Sequence, residues 1–210
     1  MTNSATTDDP ARSSGLDGRH ARYEANRLLV LDALLDLYYE GNLSPSSLQI
    51  SQRAGLSPRS LFRYFDDLED LVRSAVKREF ERIGTELEWS TPSGTLSERA
   101  RVVSEWRARL FDTTGWVGVV ARINEHSNRQ MAAELSEGRL KTRQIIEDAF
   151  AVEFSDLDPS THMHLLAAID TATSFEAYRL LRYDIGLTRS SAVAIMATTI
   201  RSILEKKENF

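Results

Sequence analysis

Cysteine is absent from this 210-residue chain, so neither disulfides nor thiolate-bound metals contribute to its fold. That suits the cytoplasm, the expected location. Long apolar runs are missing as well. Leu28–Leu35 is interrupted by Asp32, and Ala192–Ile200 is too short for a bilayer span, so no membrane partner is expected. The first residues carry Asp8 and Asp9 and no apolar stretch, so no secretory signal is expected. Excess positive charge is lacking too. The formal net charge is −5, whereas a protein that coats nucleic acid is usually basic, so any DNA contact must come from a local patch. No Gly-rich phosphate loop, nucleophile elbow or HExxH occurs. His162 and His164 are two apart and point to different helical faces, and Glu125-His126 is a dipeptide without a triad. Catalysis, a cofactor and a metal site are therefore not expected. No stretch shows sustained two-residue alternation, which leaves an all-α fold.

What is present is a series of helices with clear punctuation. Residues 1–18 are rich in Ser, Thr, Asp and Gly and are expected to form a disordered tail. Leu28, Leu31, Leu34, Leu35 and Tyr38 then recur at helical spacing and predict one buried face, stopped by Gly41-Asn42. Ser44-Pro45 reads as a cap and first-turn proline, opening a second helix through Ala54. Ser57-Pro58 repeats that signature for a third helix through Phe65, and Asp66 with Glu69 opens a fourth to about Trp89. Beyond the break at 90–94, helices are expected at 95–112, 115–124, 128–153, from Asp158-Pro159 to Gly186, and from Thr188 to Lys206. The total is about nine. The domains are 19–66, a three-helix head, and 67–210, a larger helical domain.

The most informative segment is Ile50–Leu71. Two short helices meet at Ala54-Gly55-Leu56-Ser57, where the glycine permits the turn and Leu56 can plug the angle. A turn of this kind makes the second helix protrude, as a major-groove reader must. At about 3.6 residues per turn, Leu61 and Phe65 share the core face and Arg59 and Arg63 the opposite one. Ser60 and Tyr64 share a third sector. Arginine can read guanine edges through two parallel hydrogen bonds, and serine and tyrosine can hold phosphates. Phe62 either touches a thymine methyl or seals the domain edge. The ordinary alternative is a solvated surface helix.

In Gly41, Ile50, Ala54-Gly55-Leu56-Ser57 and Leu61-Phe62-Arg63-Tyr64-Phe65, the chain resembles the TetR family of regulators over residues 22–72. The rest matches only as a run of helices of suitable number and length. The resemblance implies that Arg59, Ser60, Phe62, Arg63 and Tyr64 contact double-stranded DNA, with Ser46 and Ser47 near phosphates; Ser57, at the helix cap, joins that set. Two departures stand out. Leu68, amid Asp66, Asp67, Glu69 and Asp70, replaces a frequent lysine, and Phe62 replaces a frequent tyrosine. Binding should then lean on Arg53, Arg59 and Arg63.

The resemblance also implies a homodimer, joined by the last two helices, that binds a palindromic operator as a repressor until a small-molecule effector releases it. Two recognition helices one DNA turn apart would read such a site. The stripes Leu165, Leu166, Ile169, Ala172, Phe175 and Val193, Met196, Ala197, Ile200, Leu204 are the expected contacts, unless they only bury a monomer core. An effector pocket would draw walls from Trp106, Leu110, Trp116, Val120, Met131 and Phe175, and polar anchors from Arg122, Asn124, His126, Asp170 and Tyr178. Each aromatic has the alternative of plain core packing. Arg122 and His126 share a face only if their helix continues past Asn124. The competing function is a helical interaction protein whose helix-turn-helix no longer binds DNA.

Overall fold

Apolar side chains three and four apart put a buried stripe on helix α1 (Pro10–Tyr39), where Leu31, Leu34, Leu35 and Tyr38 are buried. Val30 joins them, whereas Leu28, expected on that face, is exposed. The structure, a computed structural model, describes residues 10–206, with side chains from residue 18 onward. All regular elements among the described residues are helical, as expected. The expected tail, 1–18, divides: α1 already begins at Pro10, and residues 1–9 lie outside the described residues. Proline at the first turn forfeits no intrahelical hydrogen bond.

The chain forms two compact units, divided between Val76 and Lys77, later than the 66/67 boundary read from the sequence. In the first, α1 packs on α2 (Ser47–Arg53) and α2 on α3 (Pro58–Leu61). The first half of α4 (Leu68–Glu86) belongs to this unit, where Leu71 and Ala75 are buried and Arg27 donates to the Ser74 hydroxyl. The cap of α2 is Ser46, not Ser44: it forms a reciprocal box with Gln49, which Pro45 cannot interrupt from outside. The cap of α4 also shifts by one, because Asp67 accepts the Asp70 N–H and Asp70 accepts that of Asp66.

The second unit contains α5 (Leu96–Asn124), α6 (Arg129–Ala149), α7 (Ala151–Phe154), α8 (Pro159–Ala172), α9 (Phe175–Arg179), a π-helical turn (Leu180–Asp184) and α10 (Arg189–Glu205). Thr95–Glu98, Asp158-Pro159 and Thr188 cap α5, α8 and α10 as expected. The two helices expected at 95–112 and 115–124 run together as α5, kinked at Gly115, whose φ of 49° and ψ of −130° suit glycine alone. The long helix expected from Asp158 instead breaks at Thr173. There Arg107 takes the Thr173 carbonyl, and the Ser174 hydroxyl accepts the Ala177 N–H that this carbonyl would have received.

α5 lies along α10, and α8 packs on both α6 and α10. Val103, Ile146, Phe150, Leu165, Ile169, Ile200 and Leu204 form one buried cluster; Ala108, Tyr178, Val193 and Met196 form another. The stripes expected to join two copies are thereby used within the unit: Leu165, Leu166, Ile169, Phe175, Val193, Met196, Ile200 and Leu204 are buried, and Ala172 and Ala197 half-buried. The exposed side is different in kind, with Met163, His164, Ala167 and Thr171 on α8 and Ala194, Ile195, Thr198 and Ser202 on α10. Among the described residues no helix is long and apolar enough to cross a membrane, and no group of His, Asp and Glu could hold a metal ion.

Candidate nucleic-acid interface and effector site

The turn between α2 and α3 is built by local chemistry. Gly55 adopts φ 68°, its N–H bonds the Gln52 carbonyl at 3.2 Å, and the Leu56 N–H reaches back to the Ser51 carbonyl at 2.9 Å. These two bonds close α2 and redirect the chain, with half-buried Leu56 at the corner. Ser57 then caps α3 by accepting the Ser60 N–H, and its hydroxyl lies 2.9 Å from that of Ser60. Regular α-helix lasts only to Leu61 rather than Phe65. The next turn tightens, with Arg63 N–H to Ser60 and Tyr64 N–H to Leu61 carbonyls.

This tightening changes which side chains face out. With about three residues per turn, positions three apart eclipse, so Tyr64 falls behind Leu61 instead of beside Ser60. Tyr64 is therefore buried, its hydroxyl accepting from Asn26 at 3.0 Å and its ring centroid 5.0 Å from that of Tyr23. The expected phosphate contact from this phenol is withdrawn. Leu61 and Phe65 face the core as expected, and the Arg27 guanidinium lies over the Phe65 ring.

Arg59 and Arg63 are exposed, and among the described residues neither side chain has a hydrogen-bond or ion-pair partner. Phe62, between them in sequence, is 49% exposed. Arg53 is exposed but engaged: Glu40, at the end of α1, accepts two hydrogen bonds from it at 2.9 and 2.8 Å. Those bonds hold the Glu40 carboxyl below its ordinary range. The expectation that DNA binding leans on Arg53 thus meets an internal competitor. Ser46 and Ser57 use their hydroxyls as caps, Ser60 has its hydroxyl against Ser57, and Ser47 is half-buried. Asp66, Asp67, Leu68 and Glu69 are exposed, while Asp70 is ion-paired with Arg73 at 2.5 Å.

The expected effector residues do not converge on one cavity. Val120, Met131, Phe175 and Tyr178 are core, and Leu110 is half-buried. Trp106 stands edge-on to Trp89 beside an open depression of about 350 Å³, lined also by Arg101, Val102, Glu105 and Arg109. Arg122 is ion-paired with Glu125 and Glu176, and the Asn124 amide donates to the Val120 carbonyl. α5 ends at Asn124, so His126 sits exposed in the following turn and shares no helical face with Arg122. The Tyr178 hydroxyl donates to Asp112 at 2.7 Å; burial, then this bond, pushes its pKa up to about 12.

Asp170 has a partner that sequence reasoning missed. Arg107 is fully buried and donates to Asp170 at 2.8 Å, to the Thr173 carbonyl at 2.9 Å and to the Thr142 carbonyl at 3.0 Å. Burial pushes its guanidinium pKa down, opposed by Asp170. The signal was available: Ala100, Val103 and Arg107 lie on one helical stripe, and a charge on a core stripe calls for an acid. Arg179 was missed too. Its guanidinium lies 5.0 Å from the Trp116 ring, 5.6 Å from Phe175 and 4.7 Å from Tyr183.

No protein-family model matches the chain, and no curated protein matches it.

Proposed function

We propose that this protein is a DNA-binding transcription regulator, acting as a homodimeric repressor that a small-molecule effector releases from a palindromic operator. The carrying observation is the pair Arg59 and Arg63: two exposed guanidiniums without side-chain partners among the described residues, one on α3 after a glycine turn and one in the tight turn that continues it. Unpaired arginine forks are suited to guanine edges and phosphates. Phe62 adds an exposed ring of the kind that meets a thymine methyl. Homodimerisation is supported by the outward side of α8 and α10, where Met163, Ala167, Ala194, Ile195 and Thr198 form an uncharged surface on an otherwise acidic chain.

Selection of bound fragments from random-sequence DNA, followed by binding of the enriched site, tests this reading. Arg59→Ala or Arg63→Ala should weaken operator binding by about 1–3 kcal/mol, with relaxed base preference where the arginine reads a guanine. Failure to enrich any site would refute the regulator. A second reading, a helical interaction protein without DNA affinity, draws on the Glu40–Arg53 pair and the exposed acids at 66, 67 and 69. Salt titration separates the two, since phosphate binding weakens linearly in log–log form as salt rises.

A further inference from the structure

Arg179 differs from its neighbours in the second unit. Arg122, Arg143 and Arg189 each meet a carboxylate. Arg179 meets none among the described residues, nor any hydrogen-bond acceptor there. The nearest acid in sequence on its own helix, Glu176, is turned to Arg122 at 2.7 Å. What holds Arg179 is a set of three rings, Trp116, Phe175 and Tyr183. Phe175 and Tyr183 lie four residues to either side of it along α9 and the π-helical turn, and Trp116 comes from α5, directly after the Gly115 kink.

Rings attract a guanidinium through their faces but leave its N–H groups unused. None of the Arg179 nitrogens is both buried and unpartnered, so these donors reach solvent. The side chain is thus a planar fork with its orientation set and its hydrogen bonds open, which lowers the entropic cost of gripping a carboxylate. Two of these rings are themselves exposed: Trp116 is 37% exposed and Tyr183 56%. A fork amid exposed rings suits a ligand with one anionic end and one apolar body.

We propose that Arg179, braced by Trp116, Phe175 and Tyr183, anchors the carboxylate of a small amphipathic acid, whose apolar body lies on Trp116 and Tyr183. As the effector's chemical class, this rests on the regulator reading; as a binding site, it stands apart from it. The experiment is calorimetric titration of the full chain with 1-naphthoate and octanoate, and with the neutral amides of both. At least one acid should bind with its amide about tenfold or more weaker, the loss expected when a charge-assisted bidentate bond is removed. Arg179→Gln should weaken the acid by about tenfold to a hundredfold, and an Arg201→Gln control should not. Arg179→Lys keeps charge and ring contact, so it should retain the melting temperature yet bind several-fold weaker. It decides the matter if the glutamine variant fails to fold. No heat from either acid up to about 5 mM, equal binding of acid and amide, or unchanged affinity in both variants overturns the site. Gel shifts on the selected operator, with and without the acid, are read separately. Acid binding without operator release removes the effector role and leaves the site, whereas operator binding without acid binding removes the site and leaves the regulator.

Discussion

Replacing Asp170 by asparagine should destabilise the second unit more than removing the whole ion pair does. Arg107 is 2% exposed at its side chain and Asp170 19%, so the pair lies in a region of weak solvent screening. Asp170→Asn strips the buried guanidinium of its counter-charge and leaves it only neutral acceptors, the new amide oxygen and the carbonyls of Thr142 and Thr173, and it also removes the charge that holds Arg143. Breaking a buried pair from one side costs about 3–5 kcal/mol. The two remaining carbonyl bonds and the partial exposure of Asp170 place this case near the lower figure. In the double variant Arg107→Met/Asp170→Asn no charge is stranded. The Thr142 and Thr173 carbonyls lose their donor, at about 1–2 kcal/mol in all, and methionine fills much of the arginine volume. The double variant should therefore be more stable than Asp170→Asn by about 1–2 kcal/mol. Urea denaturation followed by circular dichroism measures both, with the slope m checked for constancy. An Asp170→Asn variant within about 0.5 kcal/mol of wild type, or a double variant less stable than the single one, would show that the buried charge does not govern this junction.

Three further outcomes test other links. Leu61→Ala removes a fully buried side chain and should destabilise the first unit by about 2–5 kcal/mol, and an unchanged melting temperature contradicts its core position. Tyr64→Phe should cost about 0.5–1.5 kcal/mol of stability through the lost Asn26 bond while operator affinity holds; the reverse pattern restores the phenol as a DNA contact. For Tyr178 the sign follows from a folded pKa of about 12 against about 10 in an unfolded chain. Its neutral form favours the fold, so its contribution is full below about pH 10 and is lost as pH rises towards about 12. Tyr178→Phe should flatten that part of the stability profile, and an identical profile refutes the linkage.

The parts of this fold legible in the amino-acid order are those decided within one helical turn. Ser57-Pro58, Thr95 with Glu98, Asp158-Pro159 and Thr188 each cap a helix through bonds spanning two or three residues, and the Gly55 turn closes α2 through bonds spanning three and five. The exposed guanidinium at 59 was legible for the same reason, because helical phase is local, whereas Arg63 lies beyond the end of α3, in a tighter turn where that phase no longer holds. Tertiary structure decided whatever depends on a distant partner. The Glu40 that occupies Arg53 is thirteen residues away, the Asn26 that receives Tyr64 thirty-eight, and the Asp170 beside Arg107 sixty-three. It also decided which side of α8 and α10 is spent on the core: an apolar stripe states that a face will be buried, but not against what. Hydrophobic burial has no direction of its own, so only the packed chain could show that the aliphatic stripes turn inward and that an uncharged, small-residue side faces out.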